Sequence, residues 1–190
     1  MKYDIVLCGV GGQGGISVSV VIAQAALAAG LKVKQSEVHG MAQRGGEVLA
    51  ELRISDADIA SPSIPLGCAD LILSFEPLEA FRYLSILGPQ AHIISASTPV
   101  INISNYPPIE SVLAALKKLP NSIAIDADAL AREAGNPRAA NMVLIGAAAK
   151  LLPFPAAKLE DAIRKQFARK GDAVVEANIK AFEYGQKAHN

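Results

Sequence analysis

Apolar and polar positions along the chain change their period in a regular way. Residues 3–8, YDIVLC, form an almost unbroken apolar run, as a central strand covered on both faces requires. Residues 16–29 then read as a buried helix, stopped by Gly30. Residues 31–38 alternate, with Leu31 and Val33 apolar and Lys32 and Lys34 polar, which predicts a second strand; 48–54 is a third. Residues 70–75 are another buried strand. Pro77 follows where a helix N-terminus accepts proline, and 78–87 continues at helical spacing. A strand at 92–95, a helix at 109–119 and a strand at 123–125 extend the alternation. Strands alternating with helices define an α/β domain: a Rossmann-like open, mainly parallel sheet with helices on both faces.

From Ala127 onward the chain reads as helix, giving a helical C-terminal region. Residues 141–152 are apolar nearly all round, so this helix is either buried or pressed on a partner. Pro153 and Pro155 break it. Two amphipathic helices follow, one with Leu159, Ile163 and Phe167 on a face, the other with Val175, Ile179 and Phe182. Without repeats, low-complexity segments or a compositional boundary, 1–190 reads as a single domain.

Composition narrows the functional classes. Apolar residues make up 51% and charged residues 19% of 190 residues, which suits a folded core and excludes a disordered or strongly charged chain. Formal net charge is zero and the basic residues are scattered, which argues against nucleic acid; 5% aromatics without Trp offer no stacking platform for single strands. The start lacks a signal-peptide pattern, and no apolar stretch reaches the roughly 20 residues that span a bilayer, so a soluble, cytoplasmic protein without membrane contact is expected. Cys8 and Cys68 are too few for an iron–sulfur cluster and too far apart in sequence for a redox pair. Cys8 reads as a small buried hydrophobe. His39, His92 and His189 lack metal-ligand spacing.

Two stretches carry candidate chemistry. After the first strand comes Gly9-Val-Gly-Gly-Gln-Gly14, in which Gly9, Gly11 and Gly14 satisfy G-x-G-x-x-G between strand and helix. Glycines there permit positive φ, expected at Gly11, and admit a ligand close to the backbone. The helix N-terminus then favours an anion. Glu37 closes the second strand where a dinucleotide site places its ribose partner. Three readings stay open: a phosphorylated cofactor beside Gly9, Gly11, Gly12, Gln13 and Gly14, close packing of helix on strand, or NAD(P).

The second stretch, SEVHGMAQRGG at 36–46, follows the second strand and therefore shares the carboxyl edge with the glycine turn. His39, Gln43 and Arg44 are strong hydrogen-bonding groups among glycines, and Arg44 offers a bidentate clamp for carboxylate or phosphate. Glu76, just past the strand at 70–75, is a further candidate contact, or a carboxylate capping the helix at Pro77.

With these blocks assembled, and with ADLILSFEPLE at 69–79, NMVLIG at 141–146 and LPFP at 152–155, the chain resembles the small subunit of indolepyruvate:ferredoxin oxidoreductase. That subunit is equivalent to the γ subunit or domain of the wider 2-oxoacid:ferredoxin oxidoreductases. The resemblance implies oxidative decarboxylation of a 2-oxoacid, with coenzyme A taking the acyl group and two electrons passing to ferredoxin. It places thiamine diphosphate, Mg and the iron–sulfur clusters in a large (α) subunit, so that this chain binds none of them alone, supplies no catalytic residue and is inactive by itself. It further implies that the carboxyl edge faces the large subunit near the substrate or coenzyme A channel, with Gln13, His39, Gln43 and Arg44 as contacts to coenzyme A, substrate or partner. The isolated chain is expected to be capable of homodimerising. Gly15-Ile-Ser departs from the larger residues usual in the family and is expected to loosen the helix start slightly. A self-sufficient NAD(P)-binding oxidoreductase and a regulatory nucleotide-binding module are the alternatives.

Overall fold

The computed structural model describes residues 1–39 and 45–189, with the side chain of His39 outside that description. Six strands, β1 (Lys2–Val10), β2 (Lys32–His39), β3 (Glu47–Ser55), β4 (Ala69–Ser74), β5 (Leu87–Ala96) and β6 (Ser122–Ile125), form one sheet in the order β2-β3-β1-β4-β5-β6. β1, β4, β5 and β6 are parallel neighbours, whereas β3 runs antiparallel to both β1 and β2. The sheet is thus mixed, although β3 alone is reversed. The connection from β2 to β3 is too short for the dozen or more residues that a parallel crossover needs, so β3 must turn back.

β1 explains its own sequence. Ile5 and Leu7 join one apolar cluster while Val6 and Cys8 join the other, so both faces of the strand are buried. The first cluster carries α1 (Gly15–Ala28), α4 (Ala127–Glu133), α5 (Ala140–Ala148), α6 (Ala156–Phe167) and α7 (Asp172–Ala188). The second carries α2 (Glu79–Arg82) and α3 (Ile109–Leu116). Burial pushes the Cys8 thiol up to about 12, the behaviour of a small core hydrophobe and not of a nucleophile.

α5 is wholly buried from Met142 to Ala148. Of its two readings, the structure selects burial within the chain. Its backbone meets that of α7 through paired glycines: a Cβ on Gly146 would lie 2.0 Å from the Phe182 carbonyl oxygen, and one on Gly185 1.9 Å from that of Val143. No larger residue permits that approach.

The helix expected over 78–87 is a correction. Helix covers only Glu79–Arg82, a 3-10 turn follows at Leu84–Ile86, and β5 begins at Leu87 in register with Ala69. The chain is drawn off the helical path there because Gly67 and Cys68 donate their N–H groups to the carbonyls of Ser85 and Ile86.

At the amino edge, the crossover 56–68 covers charged residues. Asp4, fully buried, accepts from Arg53 at 3.0 and 3.2 Å and pairs with Lys2 at 2.9 Å. The second guanidinium arm of Arg53 donates to the carbonyls of Ser61 and Ser63, and Glu51 accepts from Ile64 N–H. Among the described residues, no buried side-chain nitrogen or oxygen there lacks a hydrogen-bond partner.

Candidate functional site

The opposite, carboxyl edge of the sheet carries the glycine turn between β1 and α1. Gly12 and Gly14 adopt φ of 106° and 82°, while Gly11 does not have the positive φ expected of it. Gly11 instead bonds across to the end of the 36–46 loop, its N–H to Gly46 O at 2.8 Å and its carbonyl to Gly45 N–H at 3.3 Å. The end of the 36–46 loop therefore lies on the glycine turn, as their shared edge predicts. Gln43 and Arg44 lie outside the described residues, as does the side chain of His39.

Most of the glycines serve packing. A Cβ on Gly9 would come within 2.9 Å of Phe75 Cβ, one on Gly15 within 3.2 Å of its ring, and one on Gly14 within 2.7 Å of the Asn141 amide. The glycine at 15 is thereby explained by the Phe75 ring, and α1 begins at that residue. Gly12 differs, since a Cβ there meets nothing within 4 Å and only its φ demands glycine. Gln13 holds the turn closed: its Oε1 accepts from Val10 N–H at 2.8 Å and its Nε2 donates to Phe75 O at 2.7 Å. α1 has no side-chain cap and no acidic residue in its first turn, so its leading N–H groups keep their affinity for an anion.

Glu76 is 1% exposed and is a structural hub. Its Oε2 caps α2 by accepting from Glu79 N–H at 2.9 Å, and its Oε1 accepts from Val100 N–H at 3.4 Å and from the Tyr106 hydroxyl. Burial first, then the Glu76 carboxylate, raise the Tyr106 phenol above its ordinary value, so it stays a donor.

A cavity of about 410 Å³ opens beside the turn, bounded by Gly12, the Phe75 side chain, Thr98 and Val100 after β5, and Arg138 and Asn141 at the start of α5. Asp128, in the first turn of α4, puts one carboxylate on the same wall. The hollow sits outside the carboxyl ends of β1, β4 and β5, where α1 leaves to one face and α2 to the other, the position at which open α/β sheets bind ligands. A hollow of about 630 Å³ along α7 is larger, but surface side chains of helices line it and no strand end reaches it. Thr98, Arg138 and Asn141 were not foreseen. Only the Asn136-Pro137 step before Arg138 marks a turn in the sequence.

The topology takes Glu37 away from the position of a dinucleotide's ribose partner. Glu37 lies on β2, which β3 separates from β1, so its carboxylate is displaced by about two strand spacings, roughly 10 Å, from the glycine turn. There it accepts from Gln35 Nε2 and faces Ser19 of α1 at 3.5 Å.

Comparison with known proteins agrees. The pyruvate ferredoxin/flavodoxin oxidoreductase family matches residues 4–188. Indolepyruvate oxidoreductase subunit IorB of Pyrococcus horikoshii is 40% identical, over 98% of this chain and 96% of its own length. Among solved structures, the γ subunit of a keto/oxoacid ferredoxin oxidoreductase from Geobacter sulfurreducens superposes with a TM-score of 0.75 at 27% identity, covering 100% of this chain and 97% of that one. The 2-oxoglutarate:ferredoxin oxidoreductase of Magnetococcus marinus, solved with 2-oxoglutarate, coenzyme A and succinyl-CoA bound, shares the fold with a TM-score of 0.78 at 23% identity. This chain corresponds to 99% of itself but only 31% of that longer chain.

The mixed α/β sheet is the fold of a γ-type oxidoreductase subunit. The chain belongs to the pyruvate ferredoxin/flavodoxin oxidoreductase family. It is a non-autonomous subunit of a 2-oxoacid:ferredoxin oxidoreductase, an enzyme that decarboxylates its substrate oxidatively. No helix among the described residues is long and apolar enough to cross a membrane.

Proposed function

We propose that this chain, acting as one domain over 1–190, is the small subunit of an enzyme that oxidises indolepyruvate or a related aryl pyruvate to the acyl-CoA, with ferredoxin as acceptor. The 40% identity to an indolepyruvate oxidoreductase subunit across nearly both full lengths carries the reading. The partner is a large subunit that holds thiamine diphosphate, Mg and the iron–sulfur clusters. Two cysteines cannot supply the four thiolates of a cluster, and Cys8 is fully buried, so an iron–sulfur cluster does not fit this chain.

What this chain contributes is the carboxyl edge. The cavity beside Gly12 takes part of coenzyme A. Arg138 and Asn141 offer donors to its phosphates, and Asp128 an acceptor to an amide N–H. The Magnetococcus marinus enzyme, 31% of which shares this fold, is solved with coenzyme A bound. Ile16, Val38, Ile101 and Ile103 are exposed at the same edge and belong to the face that docks on the large subunit. His39, Gln43 and Arg44 add contacts to coenzyme A, substrate carboxylate or partner. Arg44→Ala is expected to raise the KM for coenzyme A or oxoacid with the fold intact.

Anaerobic co-purification with the large subunit, assayed with indolepyruvate, coenzyme A and a viologen acceptor, tests the reading. Acceptor reduction that requires both chains and coenzyme A is expected. A chain that binds NAD(P) and recruits no iron–sulfur partner would overturn it.

A further inference from the structure

The segment 97–108 between β5 and α3 is twelve residues without regular structure, a length at which loops in compact domains are usually functional. It is held by polar anchors more than by burial. Ser97 N–H donates to Ile125 O at 2.9 Å, Asn102 Nδ2 to Gly45 O at 2.6 Å, and Val100 N–H and the Tyr106 hydroxyl both reach Glu76 Oε1. Between these anchors Ile101 and Ile103 are 71% and 45% exposed. Thr98 and Val100, immediately before them, form a lip of the cavity. The lip thus has little apolar packing to fix it, and the buried Glu76 carboxylate is the anchor that bonds Val100 of the lip itself.

We infer that Glu76 and Tyr106 are positioning residues: together they set the Thr98–Val100 lip, and through it the shape of the cavity that receives coenzyme A. The inference rests on the reading that coenzyme A occupies this cavity. Neither residue lines the cavity, so they act through the lip and not by contact. The two anchors are separable. Tyr106→Phe removes the hydroxyl donor and leaves Val100 N–H on the carboxylate. Glu76→Gln keeps an acceptor for Glu79 N–H and, with its NH2 turned to the Tyr106 oxygen, withdraws the acceptor from Val100 N–H, the residue of the lip itself.

The experiment uses the two-subunit complex and steady-state kinetics with coenzyme A varied. Both variants are expected to raise the KM for coenzyme A roughly five- to tenfold with kcat and the affinity of the two subunits little changed, as misplacement of a binding wall predicts. A merely structural role would lower the melting temperature and the yield of complex while leaving that KM unmoved, and would overturn the inference. Ala140→Leu, which narrows the cavity directly, separates this from failure of the underlying reading. If Ala140→Leu raises the KM for coenzyme A and the Glu76 and Tyr106 variants do not, the positioning role is wrong. If none of the three changes it, the cavity does not hold coenzyme A and the inference falls with its premise.

Discussion

The two edges of the sheet are built by opposite rules. At the amino edge, Asp4, Arg53, Lys2 and Asp70 lock together: Asp4 N–H donates to Asp70 at 2.7 Å while its carboxylate takes Arg53 and Lys2, and Arg53 goes on to fasten the crossover at Ser61 and Ser63. At the carboxyl edge, polar side chains are spent on shaping backbone. Gln13 closes the glycine turn, Glu76 and Asn102 hold the loop after β5, and Arg138 has no side-chain partner among the described residues. One edge saturates its charges to hold a long connection down; the other leaves a cavity, a bare helix N-terminus and a free cation. A subunit that needs stability from itself and chemistry from a partner divides its sheet in this way.

Substitutions should separate the two edges, and the largest effect belongs to the amino edge. Arg53→Ala leaves Asp4 buried with Lys2 as its remaining cation and releases Ser61 and Ser63. Breaking a buried pair costs about 3–5 kcal/mol, and Lys2 holds the loss near the lower end, about 3 kcal/mol. Urea unfolding of the isolated chain measures it. A loss below about 1 kcal/mol would mean that the clamp behaves as a surface ion pair, and the contrast between the edges would go with it.

Next in size are the glycines of the turn, which the structure divides by cause. Gly9→Ala drives a Cβ against Phe75 and Gln13 Oε1, and overpacking of this kind costs roughly 1–3 kcal/mol. Gly12→Ala meets open space and carries only the strain of its positive φ, about 1–2 kcal/mol. Thermal melts of both variants decide: a more damaging Gly12→Ala would show that the turn is tighter around Gly12 than its open surroundings imply.

These causes also mark what the chain discloses in sequence. The apolar runs of β1 and β4 and the all-round apolar α5 announce burial because both faces of a central element are covered whatever lies opposite. Which strand pairs with which is another matter. The inversion of β3 comes from a short connection, and alternating polarity is blind to strand direction. Gln13 and Glu76 are visible as polar groups beside a ligand edge, yet their partners, Phe75 O and Tyr106, lie 62 and 30 residues away, so only the fold reveals that they bond within the chain. Asn141 was hidden in an apolar run, and Arg138 stands in a turn with no periodicity to betray it.

At the carboxyl edge, Arg138→Ala tests the free cation. An exposed residue outside any side-chain network among the described residues should change stability by less than about 0.5 kcal/mol. In the complex, losing a charge-assisted contact to phosphate should raise the KM for coenzyme A about fivefold, the equivalent of roughly 1 kcal/mol. Stability and binding would thus dissociate at this edge, in contrast to Arg53. An Arg138→Ala protein that unfolds early but binds coenzyme A normally would reverse the assignment of the two edges.

The smallest effect concerns acid and sharpens what kind of electrostatics holds the amino edge. Asp56 pairs with the N-terminal ammonium and Asp58 with Lys32, each at 2.5 Å, and both carboxyls are held below their ordinary value of 3.8, chiefly by those hydrogen bonds. A carboxyl with a lower value folded than unfolded stabilises the fold above its unfolded value, and that stability is lost as pH falls through the folded one. Both groups are fully exposed and screened, so the loss is slight and shrinks further in salt. The Asp56→Asn, Asp58→Asn double variant should therefore unfold at a slightly lower urea concentration than the parent at about pH 7, and this deficit should shrink at a more acidic pH as the parent carboxyls take up protons. An equal deficit at both pH values would show that these side chains act through packing or turn geometry, leaving the buried Asp4 cluster as the ionic element of that edge.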